Sequence, residues 1–169
     1  MRGPPLGVGL LRSSYPVRRR YIIALEHNHP MRILLALLAF AGVAVSSLAL
    51  QVHYSTATQP CSINERWDCG IVNHSSYAVF FHIPVAAIGI AGYLLLAILA
   101  LTHKRLLLVV ASLAALAFAL YLSHVERDVL EVWCLYCVIS QGIIALLTLL
   151  SGVWFAVGQF SARRSRKAA

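Results

Sequence analysis

The sequence is poor in charge. Lys, Arg, Asp and Glu make up 12% of its 169 residues, and only six of them are acidic. Soluble globular domains carry about twice that share of charged side chains, which argues against a water-soluble domain. The formal net charge of +8 does not indicate a nucleic-acid-binding protein, because the basic residues flank apolar runs instead of covering one surface.

Apolar residues make up 60% of the chain. A membrane-spanning helix needs roughly 17 to 25 mainly apolar residues. Four runs meet this requirement, at residues 33–52, 84–101, 106–122 and 135–155, the third being the shortest. We therefore predict an all-α membrane protein, a four-transmembrane-helix bundle with an extracytosolic cap loop.

The basic residues predict the orientation. Twelve of the 14 Lys and Arg lie before the first span, between the second and third, or after the fourth. The other two, Arg66 and Arg127, share the remaining loops with five of the six acidic residues. Because cytosolic loops collect Lys and Arg, we expect both termini in the cytosol and the loops 53–83 and 123–134 outside.

The flanking segments differ from the bundle in composition. Residues 1–30 are expected to form a basic cytosolic tail, residues 31–157 the four-helix domain, and residues 158–169 a second basic tail. Met31, followed by Arg32 and an apolar run, also has the pattern of a translation start, so a natural product that begins there is an alternative. The first run is longer than the roughly 7 to 15 apolar residues of a signal peptide, so we expect it to be a membrane-spanning helix and not a signal peptide.

All four cysteines fall in the loops predicted to lie outside: Cys61, Cys69, Cys134 and Cys137. That side is the oxidising one, where disulfides form and persist. Cys134 and Cys137 form a CxxC in the first turn of the fourth helix, where the helix dipole stabilises a thiolate. A helical turn also brings two cysteines within disulfide range. Cys137 lies deeper and is the candidate to face a lipid-soluble quinone.

Cys61 and Cys69 are separated by eight positions. A continuous helix would hold them about 12 Å apart, so a direct disulfide needs a turn, which residues 64–68 can provide. A loop pair can meet both a soluble partner and the CxxC. This suggests a relay by thiol–disulfide exchange.

The order of these motifs resembles a known family. A C-x7-C in the first outer loop, then a CxxC that opens the fourth helix, is similar to the vitamin K epoxide reductase family and its bacterial homologues. Residues 61–65, 68–77, 83–86 and 134–140 carry further similarity, and the resemblance covers roughly residues 33–157. It implies a four-helix bundle around a quinone, capped by the outer loop.

The resemblance also implies an activity. A family member is a membrane thiol:quinone oxidoreductase that oxidises a thioredoxin-like partner, supporting disulfide formation, and reduces ubiquinone, menaquinone or vitamin K. Cys134 and Cys137 would be the active pair, while Cys61 and Cys69 would shuttle electrons, with Cys69 exchanging with Cys134. The chain ends soon after its fourth helix, so we expect a separate partner protein, and a bacterial inner membrane is favoured over the endoplasmic reticulum.

Five residues are candidates for the quinone site by the same resemblance: Cys137, Gln141, Ser75, Phe80 and Tyr121. Ser75 matches a serine that the family keeps near its active site, although a loop hydroxyl that caps a turn explains it equally well. Gln141 stands where many animal members have tyrosine. This departure weakens the case for vitamin K epoxide as substrate and leaves general quinone reduction open.

Two other classes remain. Disulfide bond formation protein B is also a four-helix quinone-coupled oxidase, but its CxxC precedes its wider cysteine pair, the reverse of the order here. A structural zinc site would combine the cysteines with histidines such as His53, His74, His82 or His124. The C-x7-C spacing is wider than the usual gap of about two to four residues in such sites.

Overall fold

The structure is a computed structural model that describes residues 15–55 and 61–167, with side chains over 29–55 and 61–163. It is mostly helical. The elements are α1 (Tyr15–Tyr54), α2 (Cys69–His74), β1 (Val79–Phe80), β2 (Ile83–Pro84), α3 (Val85–Leu101), α4 (Arg105–Val125) and α5 (Leu135–Lys167). A 3-10 turn at Ser76–Ala78 precedes β1, and a π-helical turn at Glu126–Leu130 continues α4.

Within residues 15–55 and 61–167, three helical stretches are long and apolar enough to cross a membrane. They are His29–Tyr54, Arg105–Leu130 and Leu135–Arg163, of 26, 26 and 29 residues. Their leucines and alanines are strong helix formers, and their mean hydropathy suits lipid and not water. The chain is an integral membrane protein. The second predicted span, α3, is apolar but has 17 residues. The shortest of these helices is therefore that of the second run and not, as expected, that of the third.

The long helices pack around one core. α3 and α5 lie against α1, and α4 lies against α5. Leu35, Leu108 and Leu147 are fully buried where these helices meet. Leu37 and Leu149 face outward with 61% and 63% of their surface exposed, which is the pattern of a bundle whose outer surface meets lipid and not water.

Helices extend into both predicted tails. α1 already begins at Tyr15, so residues 15–30 of the predicted basic tail are helical, with Pro30 inside the helix. α5 likewise continues through Lys167. The physical reason is that residues 17–29 contain neither proline nor glycine to stop a helix. Residues 1–14 and 168–169 lie outside the described residues.

A connecting segment, residues 61–84, joins α1 to α3. It holds α2 and a short antiparallel hairpin in which Val79 pairs with Pro84 and Phe80 with Ile83. The two turn residues, Phe81 and His82, both have positive φ, at 49° and 66°, the backbone form favoured in two-residue hairpins. Beneath α2 lies a second buried cluster, formed by Val52, Cys61, Cys69, Val72 and Cys134.

Candidate functional site

The Cys61–Cys69 pair is a disulfide with Cα atoms 5.7 Å apart. A turn between the two cysteines makes this possible, because the Asn64 side-chain oxygen accepts hydrogen bonds from the backbone N–H groups of Arg66 at 2.9 Å and Trp67 at 3.1 Å. Asparagine favours such turns by this local hydrogen bonding. The turn predicted for residues 64–68 is confirmed.

Asp68 fixes the start of α2. Its carboxylate accepts hydrogen bonds from the N–H groups of Gly70 at 2.7 Å and Ile71 at 3.1 Å, and from the Ser62 hydroxyl at 2.9 Å. Burial raises the pKa of Asp68, but these three hydrogen bonds outweigh burial and hold the pKa below its usual value. The capped helix begins at Cys69, so the cap sets the position of that sulfur.

A backbone bridge attaches the connecting segment to the CxxC. The Asp68 N–H donates to the Trp133 carbonyl at 3.1 Å, and the Trp133 N–H donates to the Arg66 carbonyl at 2.8 Å. Cys69 and Cys134 each follow the bridged residues directly, and both are fully buried in the same cluster. The structure thus brings together the two cysteine pairs that the sequence predicts to exchange electrons.

The CxxC occupies the start of α5. Cys134 immediately precedes the helix, and the Cys137 N–H donates to its sulfur at 3.4 Å. Both cysteines are free thiols. The hydrogen bond from the Cys137 thiol is the main cause that lowers the pKa of Cys134; the Cys137 N–H and the Asn73 amide add to it, against opposition from burial and the charge of Glu126. The expected thiolate-stabilising helix start is present.

Asn73 connects both cysteine pairs and was not singled out by sequence reasoning. Its side-chain nitrogen donates to the Cys69 carbonyl at 2.9 Å and to the Cys134 sulfur at 3.5 Å. The His53 ring nitrogen lies 2.6 Å from the Asn73 carbonyl. The spacing of four residues from Cys69 places Asn73 on the same helical face, but its contact with Cys134 depends on tertiary packing.

Glu126 is a second site residue that the sequence did not reveal. Its side chain accepts a hydrogen bond from the Cys134 N–H at 3.2 Å and contacts the Cys137 thiol. Only 3% of the residue is exposed. The π-helical turn holds it there, since the Val132 N–H donates to the Glu126 carbonyl at 3.2 Å. In the sequence it is one of several acidic residues in a loop predicted to lie outside.

A cavity of about 260 Å³ opens beside Cys137, between α1, α3, α4 and α5. Its size lies just below the roughly 300 to 1,000 Å³ of typical ligand pockets. Cys137, Gln141 and Ser75 line it, as does Glu126. Phe80 does not; it packs instead against Phe118, a lining residue, with ring centroids 6.5 Å apart.

Tyr121 lies apart from the other predicted quinone-site residues. Its side chain is 56% exposed and does not line the cavity. The cavity walls are mostly apolar. Among the polar groups of the lining, the Tyr93 hydroxyl donates to the Ser140 carbonyl at 2.8 Å. Gln141 accepts a hydrogen bond from Ser123 through its side-chain oxygen, and its amide nitrogen remains a donor. Asn73 also lines the cavity, but its amide nitrogen already donates to Cys69 and Cys134. Apolar walls with the Gln141 amide as a donor suit a flat ring that carries carbonyl oxygens.

Three of the four histidines considered as zinc ligands have other contacts. The rings of His53 and His74 stack with centroids 6.1 Å apart, and His124 lies 2.5 Å from the Asp128 carboxylate. Within residues 15–55 and 61–167, no three His, Cys, Asp or Glu side chains gather as potential metal ligands. The disulfide also occupies two of the four sulfurs.

Comparison with known families adds an independent finding. The family model described as the vitamin K epoxide reductase family matches residues 33–152. The matched region contains all four cysteines, Asn73, Glu126 and the cavity. No individually curated protein matches the chain.

Proposed function

The chain belongs to the vitamin K epoxide reductase family, and from that premise we propose that it is a membrane thiol:quinone oxidoreductase that oxidises a thioredoxin-like protein. One observation supports this most directly. The CxxC touches the second cysteine pair on one side and an apolar cavity on the other, through Cys137. Such a placement suits electron passage from a dithiol in water to a carrier in lipid.

The first step is exchange at the disulfide. A thiolate of the reduced partner attacks the Cys61–Cys69 bond and forms a mixed disulfide, which the partner's second thiol resolves. The partner becomes a disulfide, and Cys61 and Cys69 become thiols. The turn between the two cysteines is exposed over residues 63–66, which is where the partner meets the protein. Because Cys61 and Cys69 are buried, the turn must open for the partner's thiolate to reach a sulfur.

The second step moves two electrons to the CxxC. After Cys134 and Cys137 have been oxidised, the Cys69 thiolate attacks the Cys134 sulfur, and Cys61 then attacks Cys69 to restore the Cys61–Cys69 disulfide. The result is a reduced CxxC, the state of the described molecule. The bridge between Trp67 and Trp133 supports this exchange, because it holds Cys69 and Cys134 in neighbouring segments.

The third step returns the CxxC to a disulfide. A bound quinone supplies the chemistry of a two-electron, two-proton acceptor. Cys137 presents its thiol to the cavity, the Gln141 amide is placed to donate to a carbonyl oxygen, and the apolar walls exclude water. The cavity fits the ring of a benzo- or naphthoquinone, whose isoprenoid tail would extend into the bilayer.

The proposed arrangement in the membrane has four spans, with α3 as the second and the connecting segment as an extracytosolic cap. Both termini are cytosolic in this arrangement. Single cysteines at Glu65→Cys, in the exposed turn, and Lys104→Cys, between α3 and α4, test it against the parent protein. An impermeant maleimide added to intact cells should label the first and spare the second; the opposite result would reverse the orientation.

The activity is tested by stopped flow with purified protein. Reduced thioredoxin-like protein and a short-chain ubiquinone or menaquinone are mixed with the enzyme, and quinone absorbance is followed. We expect one quinone reduced per partner dithiol oxidised, and no reduction with Cys137→Ser. Partner oxidation without quinone loss would reject the proposed acceptor, and quinone loss without partner oxidation would reject the proposed donor.

A further inference from the structure

Glu126 is a buried ionisable group to which the disulfide relay gives no role. Its carboxylate lies at the end of α4, lines the cavity and is 3% exposed as a residue. Burying a charge is costly unless it is hydrogen-bonded. Its partners are the Cys134 N–H at 3.2 Å and the Cys137 thiol. Both belong to the motif that loses electrons, so the carboxylate sits at the reacting atoms.

Oxidation of the CxxC must release protons as well as electrons. Formation of the disulfide breaks two S–H bonds and releases two electrons and two protons. Hydrogen bonds from Asn73 and the Cys137 N–H stabilise a thiolate at Cys134. Cys137 faces the apolar cavity instead, where water has little access to remove its proton.

The two groups in contact with the Cys137 thiol are Cys134 and Glu126. Only Glu126 can accept a proton without also losing electrons. A base within hydrogen-bond reach of the proton that it removes is the geometry of general base catalysis.

We propose that Glu126 is the catalytic proton acceptor for the Cys137 thiol, a role that rests on the proposed thiol:quinone activity. As the Cys134–Cys137 bond forms, the carboxylate takes the Cys137 proton and two electrons pass to the quinone. Glu126 then gives this proton to one oxygen of the reduced quinone and is ionised again. Cys134 releases its proton earlier, when its thiolate forms, and the reduced quinone takes up one proton from water in exchange, so that overall the dithiol and quinone become a disulfide and a quinol.

Few titratable groups other than the CxxC face Glu126. From α5, the titratable groups that face it are Cys134 and Cys137, and the Tyr136 hydroxyl lines the same cavity. Tyr93 of α3 also lines the cavity. On its own stretch, His124, Arg127 and Asp128 pair with one another at the exposed surface. His53 of α1 and His74 of α2 contact backbone carbonyls of the connecting segment and do not line the cavity.

The deciding variant is Glu126→Gln. Its amide oxygen can still accept from the Cys134 N–H, but it cannot take a proton. Glu131→Gln is the matched control, since Glu131 is an exposed acid of the same turn. Two rates are measured on pre-reduced protein at one pH: reduction of a short-chain quinone in a single turnover, and alkylation of Cys137 without quinone, resolved by peptide mass spectrometry.

We expect the two rates to move in opposite directions. Loss of the base should slow quinone reduction by about 100-fold or more. Loss of the negative charge should favour the Cys137 thiolate and speed its alkylation by about tenfold. Glu131→Gln should change neither rate, and Glu126→Asp, which keeps a carboxylate, should recover part of the quinone reduction.

Each other outcome overturns the role. Unchanged quinone reduction in Glu126→Gln would show that the carboxylate is dispensable. If Glu126→Gln sped up both quinone reduction and alkylation, Glu126 would act only by disfavouring the Cys137 thiolate. If the variant slowed both reactions, Glu126 would act only as a structural support. A wild-type protein that is alkylated at Cys137 yet passes no electrons to quinone would overturn the oxidoreductase activity itself, and this role with it.

Discussion

Trp67 and Trp133 face each other across a parallel backbone bridge, with the centroids of their rings 6.4 Å apart. Cys134 directly follows Trp133, and Cys69 lies two positions after Trp67. The bridge therefore sets the distance between a loop disulfide and a helix-bound CxxC that are far apart in sequence. In the proposed relay, the two pairs that exchange electrons thus lie in one buried cluster.

Mutations in the two cysteine pairs should affect quinone reduction differently. We expect Cys137→Ser to abolish quinone reduction with any reductant, because it removes the thiol that faces the cavity. Cys61→Ser should keep the reaction driven by a small membrane-permeant dithiol and lose that driven by a protein dithiol. Quinone absorbance with each reductant measures this, and equal losses with both would remove the relay from the mechanism.

The start of α2 should be sensitive to acid. Because the pKa of Asp68 is lower in the folded protein than its ordinary value of 3.8, its stabilising effect is present above that value and is lost as pH falls through the lower folded pKa. Amide protection factors in α2 should therefore hold down to about pH 4 and then drop.

Asp68→Asn can still cap α2 but removes the negative charge at the helix start. It should weaken this protection at neutral pH by about 0.3 to 1 kcal/mol and make it independent of acid. Glu65→Gln, an exposed change in the same turn, is the control. Hydrogen exchange read by mass spectrometry reports both variants. Identical acid profiles for Asp68→Asn and the wild type would show that another group governs the helix start.

Gly42 lies where α1 meets α3, and a Cβ at this position would overlap the ring of Tyr93. Gly42→Ala should displace Tyr93, weaken its hydrogen bond to Ser140 and cost about 1 to 3 kcal/mol, as overpacking does. Gly152→Ala, where an added Cβ meets nothing within 4 Å, should leave stability unchanged. Thermal unfolding in detergent compares the two, and equal melting temperatures would contradict the packing of Tyr93.

The polar side of the cavity should control affinity for the quinone. Gln141→Leu keeps the volume but removes the amide donor, so we expect the KM for quinone to rise by about 3- to 10-fold, the value of one hydrogen bond. Tyr121→Leu, outside the cavity and 56% exposed, should leave KM unchanged. If Tyr121→Leu raised KM more than Gln141→Leu, the quinone would bind elsewhere.

The parts of the molecule that depend on composition were predictable from the sequence. Apolar length identifies the helical runs, and the loop position of the cysteines predicts which residues meet. Helix ends were less predictable. The third run was expected to end at residue 122, but α4 continues to Val125 and through the π-helical turn to Leu130, because residues 123–130 contain no proline or glycine to stop it.

The supporting residues of the site were not predictable in the same way. Asn73 and Glu126 act through contacts with Cys134, which is 61 positions away from Asn73. A polar residue in a loop has no periodic pattern that marks it, and its role appears only when packing buries it against a sulfur. Phe80 and Tyr121 show the converse, since the family resemblance suggested them for the quinone site and packing places them outside the lining of the cavity.

The short length of α3 has a consequence for the lipid around the protein. Its 17 residues extend about 25 Å at 1.5 Å per residue, less than the roughly 30 Å of hydrocarbon in an ordinary bilayer. In the proposed four-span arrangement, we expect the lipid beside α3 to thin to match it. Thinning would bring the membrane–water interface closer to the CxxC on that side. The distance between the proposed soluble reductant and the proposed quinone in the acyl region would then be shorter.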